Sequence, residues 1–503
     1  MPTVPLPDNP NLDQLRKQAR DLQRAVRAGD EAALALAREH GRDRALRPSG
    51  FPLASAQLVI ARRHGFASWP KLHYYIEVIA ARSWDPDAPP PAGEPLADQF
   101  LRLACLSYSH DEAAGAAAAA RLLADHPQLP ELSLPVAAAC ADVARVRRHL
   151  AADPALASAP AGPHGWSPLL YQAYSRHDPR IGEAATLETA RLLLAAGADP
   201  DDGRFWRGLP TPFTVLAGVL GGGERAQPGH PHAIGFARLL LEAGADPNDG
   251  QALYNRMFGP RDDHLELLFE FGLGRDTGGP WHRLLGDQLE SPRVMLRNLL
   301  AWAVTHDQRE RVALLARNGV DVVSPVTELR GRGPRVYTPA EHALLNGHRE
   351  LAELLVGLGA ARPRLAPADA FVAAVLAGDA DAVRNTDPAV VSAVRRSRAG
   401  LVTWAASQGA PESVPLLAAA GFDVSAFGRS DVPSNQRWHT ALHVAAERGD
   451  LALARRLLEL GADPDLPDKH YRSTPLGWAR HFGQQPVIDL LEPVTARPAP
   501  PSG

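Results

Sequence analysis

Thr440 to Asp468 reads TALHVAAERGDLALARRLLELGADPDLPD, and this stretch decides the fold. Thr440 is an N-cap, a hydroxyl placed to accept an orphan amide of the first helical turn. Leu442, Ala445 and Ala446 make a short apolar face, Gly449 ends that helix, and Asp450 caps the next. Leu453, Leu457, Leu458 and Leu460 give the second helix its apolar stripe. Gly461 suits a left-handed position just past the helix, and Pro464 forbids continuation. One unit is therefore helix, tight turn, antiparallel helix and extended turn.

The unit recurs. TPLGWARHFG starts at Thr474, GLVTWAASQG at Gly400, DAFVAAVLAG at Asp369, TPAEHALLNG at Thr338, NLLAWAVTHD at Asn298, TPFTVLAG at Thr211 and SPLLYQAY at Ser167, with a weaker copy near Gln251. Second-helix endings recur as well: RLLLAAGADP at 191–200, RLLLEAGADPN at 238–248, ALLARNGVD at 313–321 and ELLVGLGA at 353–360. The nine openings are spaced by 44, 40, 47, 40, 31, 31, 40 and 34 residues. This pattern resembles the ankyrin repeat family, whose repeat opens T-P-L-H and ends G-A-D-x-N. The match is best where Thr440, Leu442, His443, Ala445, Ala446, Gly449, Leu457, Leu458, Gly461, Ala462 and Asp463 stand. The motif histidine occurs only at His443; Glu341, Gly477, Thr214 and Ala301 take its place elsewhere.

Upstream, HDEAAGAAAAARLLADHP and ADVARVRRHLAADP align as second helices of degenerate repeats. Trp84–Pro95, WDPDAPPPAGEP, is a Pro-rich hinge. Before it, LRKQARDLQRAVRAGD and SAQLVIARRHGFASWPKL predict a separate helical segment, similar to the amino-terminal region of bacterial ankyrin-repeat proteins. Residues 1–83 hold 13 basic and 8 acidic residues, which makes this segment a basic cap. The expected organisation is a basic helical cap at 1–83, a linker at 84–95, degenerate helix pairs at 96–160, ankyrin repeats with extended loops at 161–492 and a disordered Pro-rich tail at 493–503. The expected fold is all-α: an ankyrin-repeat α-solenoid of roughly eleven repeats behind an amino-terminal helical segment.

At 503 residues the chain exceeds a single compact core. A net charge of −4 implies no general polyanion-binding surface, and Lys17, Lys71 and Lys469 are the only lysines. That bias lowers the weight of any arginine cluster. Cys105 and Cys140 cannot make a disulfide framework or a four-thiolate metal site, and they point to a reducing compartment. No apolar signal region opens the chain, and no run approaches the roughly 18 apolar residues of a membrane span. The expectation is a cytoplasmic, monomeric protein.

Catalytic patterns fail. His110-Asp111, His177-Asp178 and His306-Asp307 sit at turns of different repeats, and His439 and His443 lack the glutamate of a zinc helix. Gly221–Gly223 has no following Lys-Ser/Thr, and Gly272-Leu273-Gly274 and Gly357-Leu358-Gly359 follow helices rather than strands. Cys105 and Cys140 read as buried inert thiols, and Trp302, Trp404 and Trp478, at the fifth position of the unit, as a packing ladder. No catalytic residue, metal site or cofactor is expected.

Stacked repeats offer a concave face of first helices and turn tips, and the resemblance implies protein recognition. Two turns are long: Val322–Tyr337, with Arg330, Arg332, Arg335 and Tyr337, and Val424–His439, with Phe427, Arg429, Arg437 and Trp438. Asp201–Pro210 adds Phe205, Trp206 and Arg207, and Gly274–Val294 is a further insertion with Trp281. Arginine and aromatic residues dominate binding hot spots, so Phe205, Trp206, Arg330, Arg332, Arg335, Tyr337, Phe427, Arg429, Arg437 and Trp438 are the candidate partner contacts. Arg395, Arg396 and Arg398 form the densest basic spot. An acidic protein is the expected partner in preference to nucleic acid. The expected role is a non-catalytic adaptor or scaffold; a single-partner regulator or inhibitor of an intracellular enzyme is the alternative, ahead of an enzyme or a nucleic-acid binder.

Overall fold

The structure, a computed structural model, describes residues 4, 6–7, 10–41, 47–108, 112–225, 227–275, 279–326, 336–410, 412–430 and 436–496. The chain folds as two compact units, Met1–Met295 and Leu296–Gly503. Its architecture is all-α, a series of stacked helix pairs behind an amino-terminal helical segment.

In the first unit, α1 (Leu12–Arg27), α2 (Glu31–His40), α3 (Leu53–Arg63) and α4 (Trp69–Arg82) form the amino-terminal segment. Asn11, Asp30 and Ser68 cap α1, α2 and α4 by accepting amides of the first turn. Leu15, Ala19, Leu22 and Val26 recur at helical spacing on α1 and are buried against Val59, Ile60, Leu72, Ile76 and Ile79. The same core takes in Phe205, Trp281 and Leu285 from far along the chain.

A small sheet departs from the purely helical expectation. Strand β1 (Ser83–Trp84) pairs in parallel with β2 (Gly203–Trp206), which pairs antiparallel with β3 (Pro212–Thr214). The Pro-rich stretch is consequently tied down rather than poor in tertiary contacts. Trp84 is buried, and its indole N–H donates to His164 Nδ1 at 3.1 Å. Asp85 and Asp87 pair with Arg207, and Glu94 takes a bidentate contact from Arg102.

Five helix pairs follow in this unit: Leu96–Ala104 with Glu112–Asp125, Leu134–Ala139 with Val143–Ala152, Pro168–Tyr174 with Glu183–Ala195, Val215–Leu220 with Ala233–Glu242, and Gly250–Met257 with Asp263–Glu270. First helices from Leu134 onward pack on the next first helix, and second helices from Val143 onward on the next second helix. The Gly274–Val294 insertion contains a helix of its own, Pro280–Leu285. Its Trp281 is buried and donates Nε1–H to the Asp201 carbonyl at 2.8 Å.

The second unit holds the greater part of Pro292–Thr305 with Arg309–Arg317, and then Pro339–Leu345 with Arg349–Gly357, Pro367–Leu376 with Ala380–Arg384, Leu401–Ser407 with Ser413–Ala419, Ala441–Arg448 with Leu451–Glu459, and Pro475–His481 with Gln485–Leu491. Of the two 31-residue spacings, the one from Thr338 to Asp369 keeps a nine-residue second helix, whereas the one from Asp369 to Gly400 has a second helix of only five residues followed by a further helix, Pro388–Ser397. From Phe371 to Leu491 the pairs share one continuous apolar core.

Candidate functional site

The joint between the last two repeats shows how sequence positions the site. Gly449 takes φ +68°, and Asp450 turns the chain by accepting Leu453 N–H at 2.9 Å. His443 is fully buried. Its Nδ1 accepts the Thr440 N–H at 3.2 Å, so Nε2 carries the proton and donates to the Ser473 carbonyl at 3.0 Å. Burial pulls its pKa down to about 4 and keeps the ring neutral. Where Glu341 replaces this histidine, its carboxylate accepts the Thr338 N–H at 2.9 Å, while Thr338 Oγ1 accepts Glu341 N–H at 3.2 Å.

Two turn tips rest on this frame. In the Val424–His439 finger, Gly428 and His439 exchange backbone hydrogen bonds of 2.9 and 3.2 Å. Gly428 lies against the Gly400 backbone, where a Cβ would stand 2.6 Å from the Gly400 carbonyl oxygen. The finger is tied to the following tip at both ends, by Asp463 N–H to Ser425 Oγ at 2.9 Å and Lys469 N–H to the Trp438 carbonyl at 2.7 Å. The second tip is organised by Asp468, a buried carboxylate that accepts the amides of His470 and Ser473 at 2.8 and 2.9 Å and the indole N–H of Trp478 at 3.1 Å. These donors hold its pKa below the ordinary range despite burial.

On this scaffold cations stand over rings. The Arg429 guanidinium lies 4.7 Å from the Trp438 ring centre. Lys469 Nζ and the Arg437 guanidinium lie 4.5 and 5.5 Å from the ring centre of Phe427. His470 packs on Trp438 at 5.8 Å and edge-on to Tyr471 at 4.5 Å, and Tyr471 is 65% exposed. Each such cation–ring contact contributes about 0.5–1 kcal/mol at an exposed site.

Four expected contacts, Phe427, Arg429, Arg437 and Trp438, are thus brought together. Lys469, His470 and Tyr471 join them although 463–474 reads as the plain-length turn; the only signal was a lysine, rare in this chain, followed by two aromatic rings. Arg330, Arg332 and Arg335 lie outside the described residues.

Two expected contacts are corrected. Phe205 is fully buried in β2, packed edge-on to Trp281 at 5.4 Å. Tyr337 is 2% exposed, its hydroxyl donating to Asp369 Oδ2 at 3.1 Å while Arg398 grips Oδ1 at 2.6 Å. Neither ring can meet a partner. Trp206, in the first unit, is half-buried, its indole N–H on the Ser107 carbonyl at 3.0 Å and its ring covered by Arg207. Of the basic spot 395–398, Arg398 turns inward to Asp369 and Arg395 donates to the Gly421 carbonyl.

The remaining chemistry resolves into packing. His177 Nδ1 bonds Ser175 Oγ at 2.8 Å, while Asp178 pairs with Arg180. His306 stacks on Trp302 at 3.7 Å, and Asp307 pairs with Arg309. His110 and Asp111 lie outside the described residues. Burial pushes the Cys140 thiol up to about 12, and Cys105 is buried with Sγ on the Tyr171 carbonyl. Of the tryptophan ladder, Trp404 is buried, whereas Trp302 and Trp478 are partly exposed. Among the described residues, no group of three or more His, Cys, Asp or Glu could hold a metal ion, and no helix is long and apolar enough to cross a membrane.

Residues 426–477 match the family model described as ankyrin repeats (many copies), a stretch that contains His443, its Ser473 partner and all seven residues of the cluster. The repeats of this chain are therefore similar to ankyrin repeats, and ankyrin repeats indicate a protein–protein interaction module.

Proposed function

We propose that this chain is a non-catalytic adaptor of the cytoplasm that holds a protein partner on the turn tips and first helices of its last repeats. One observation carries the reading. Phe427, Arg429, Arg437 and Trp438 converge with Lys469, His470 and Tyr471 on two adjacent tips, where Arg437, Lys469, His470 and Tyr471 are exposed. Aromatic and arginine side chains on a rigid support lose little freedom on contact, which is why they anchor interfaces. Tips locked by the Ser425–Asp463 and Trp438–Lys469 ties are preorganised in that sense.

Site-specific photo-crosslinking tests this. A photoreactive residue at Arg437 should yield discrete adducts with another protein in native extract, and one at Arg455, exposed on the second helix of the same repeat, should not. Adducts confined to position 455, or absent at both, would overturn the reading.

A further inference from the structure

We infer that the first unit contains a built binding site whose ligand is a single water molecule, held between the Gln172 carboxamide and the Ser175–His177 pair.

One position of the repeat sets this site apart. The sixth residue of the unit is a fully buried alanine at Ala303, Ala343, Ala405, Ala445 and Ala479. Counted from the Ser167 cap, the same position holds Gln172, which is 2% exposed. Its Nε2–H donates to the Thr186 carbonyl at 2.8 Å. Among the described residues its Oε1 has no donor. A carbonyl oxygen buried without a donor is costly, and the alanine of the other repeats avoids that cost. The amide is tolerated here because a ligand supplies the missing hydrogen.

Residues of three successive helix pairs and their joints line a cavity at this point: Ala139 and Ala141, then Gln172, Ser175 and His177, then His230. The joints are long. Ser175–Gly182 and Gly221–His232 take the place of the two residues, Gly449 and Asp450, that join the helices of the best-formed repeat. The cavity leaves about 10 Å³ for the centre of a water-sized sphere, which admits one water molecule and no organic ligand.

The walls offer the partners that a buried water requires. Ser175 and His177 are both buried, with Ser175 Oγ 2.8 Å from His177 Nδ1. If the hydroxyl donates to the ring, the ring keeps its proton on Nε2. If the ring donates to the hydroxyl, the hydroxyl proton is left over. Either way the pair retains one donor, and Gln172 Oε1 is the acceptor that completes the bridge. His230 Nδ1 accepts the His232 N–H at 3.1 Å, so its Nε2–H is a further donor on the wall.

The charge of the walls selects a neutral ligand. Burial pulls the pKa of His177 down to about 4 and that of His230 to about 3, so both rings are uncharged near neutral pH. Asp178, the one carboxylate on the wall among the described residues, has both oxygens on Arg180. The nearby Arg176 spends its guanidinium on the carbonyls of Ala173, Ser175, Gly218 and Pro228. An ion would enter with no opposite charge to hold it.

The test is a crystal structure of the full-length chain at about 1.5 Å resolution, which should show one water oxygen about 2.7–3.2 Å from Gln172 Oε1 and from Ser175 Oγ or His177 Nε2. In solution, oxygen-17 magnetic relaxation dispersion counts long-lived internal waters. Q172M, which removes the acceptor at nearly constant side-chain length, should show one fewer than wild type, with circular dichroism verifying that the variant is folded. If Q172M does not fold, the wild-type crystal alone decides. An empty cavity, a Gln172 Oε1 bonded directly to a protein donor, a metal ion or an organic molecule in the site, or a folded Q172M with the same water count as wild type would overturn the inference.

Discussion

His443 Nε2 donates to the carbonyl of Ser473 at 3.0 Å, one residue ahead of Thr474, the cap of the next repeat, so a single neutral imidazole spans two repeats. Its pKa lies near 4 in the fold against 6.5 when free. The unfolded chain takes up the proton first on acidification. The stabilising contribution is thus complete above about pH 6.5 and is lost as pH falls toward 4. His443→Gln should cost about 1–3 kcal/mol at pH 7.5, by leaving buried groups unpaired. It should also flatten the pH dependence of the urea midpoint between pH 6.5 and 4. An imidazole that titrates near 6.5 by NMR would contradict this.

Asp201 shows the opposite sign. Burial, with Asp199, Asp246 and Asp249 nearby, pushes its carboxyl up to about 7 from 3.8. The folded state holds the proton more tightly, so this contribution is present at low pH and is lost as pH rises from about 4 to about 7. Asp201→Asn keeps an oxygen for the Asp246 N–H and should stabilise the protein above pH 7 by about 1 kcal/mol, with little effect at pH 4. His164, His177 and His230 in the same unit, all depressed by burial, work the other way, so the comparison is made between the variant and wild type at each pH.

Removal of residues 1–83 should destabilise the first unit. It takes Ser83 of β1 away from Phe205 of β2 and uncovers Phe205, Trp281 and Leu285. Exposing three such side chains costs several kcal/mol, at about 1.5–3 kcal/mol each. Differential scanning calorimetry of the truncated chain should show a lower first transition or its loss. An unchanged melt would mean that the cap is energetically independent.

Asp468→Ala removes the acceptor of the amides of His470 and Ser473 and of the Trp478 indole. Charge-assisted bonds of this kind contribute about 1.5–3 kcal/mol each, so the second tip should open while the helices persist. The expected signs are a red-shifted tryptophan emission, faster hydrogen exchange over 468–474 and a far-ultraviolet spectrum like wild type. Wild-type exchange over that segment would show that the turn needs no anchor.

Tyr337→Phe takes away a hydrogen bond to the buried Asp369 carboxylate and should cost about 1–2 kcal/mol in a denaturant melt. Partner binding should not change, because the ring is inside. Weakened binding with unchanged stability would return Tyr337 to the surface.

The repeats were legible because their signals are local. The Thr440 cap, the Gly449 turn and the Leu457 stripe each work within a turn or two of helix. Surface and interior on the loops were not legible. Phe205 is buried by α1–α4 and Trp281, and Tyr337 by an aspartate 32 residues on, so their exposure was decided by distant chain. The Trp84 stretch looked like a hinge because proline content says nothing about a strand partner 120 residues away. Lys469 was missed because its role depends on Phe427, a ring in the neighbouring tip.

The shared core of the amino-terminal helices also sets an order of events during synthesis. A plain repeat finds its partner in the next unit made, within a few tens of residues. Leu72 and Ile79 must wait for Trp281 and Leu285, some two hundred residues later. At roughly 5–20 residues per second the ribosome leaves that apolar face uncovered for about 10–40 seconds. That apolar face is therefore closed later than the faces that neighbouring repeats of the same unit bury against each other.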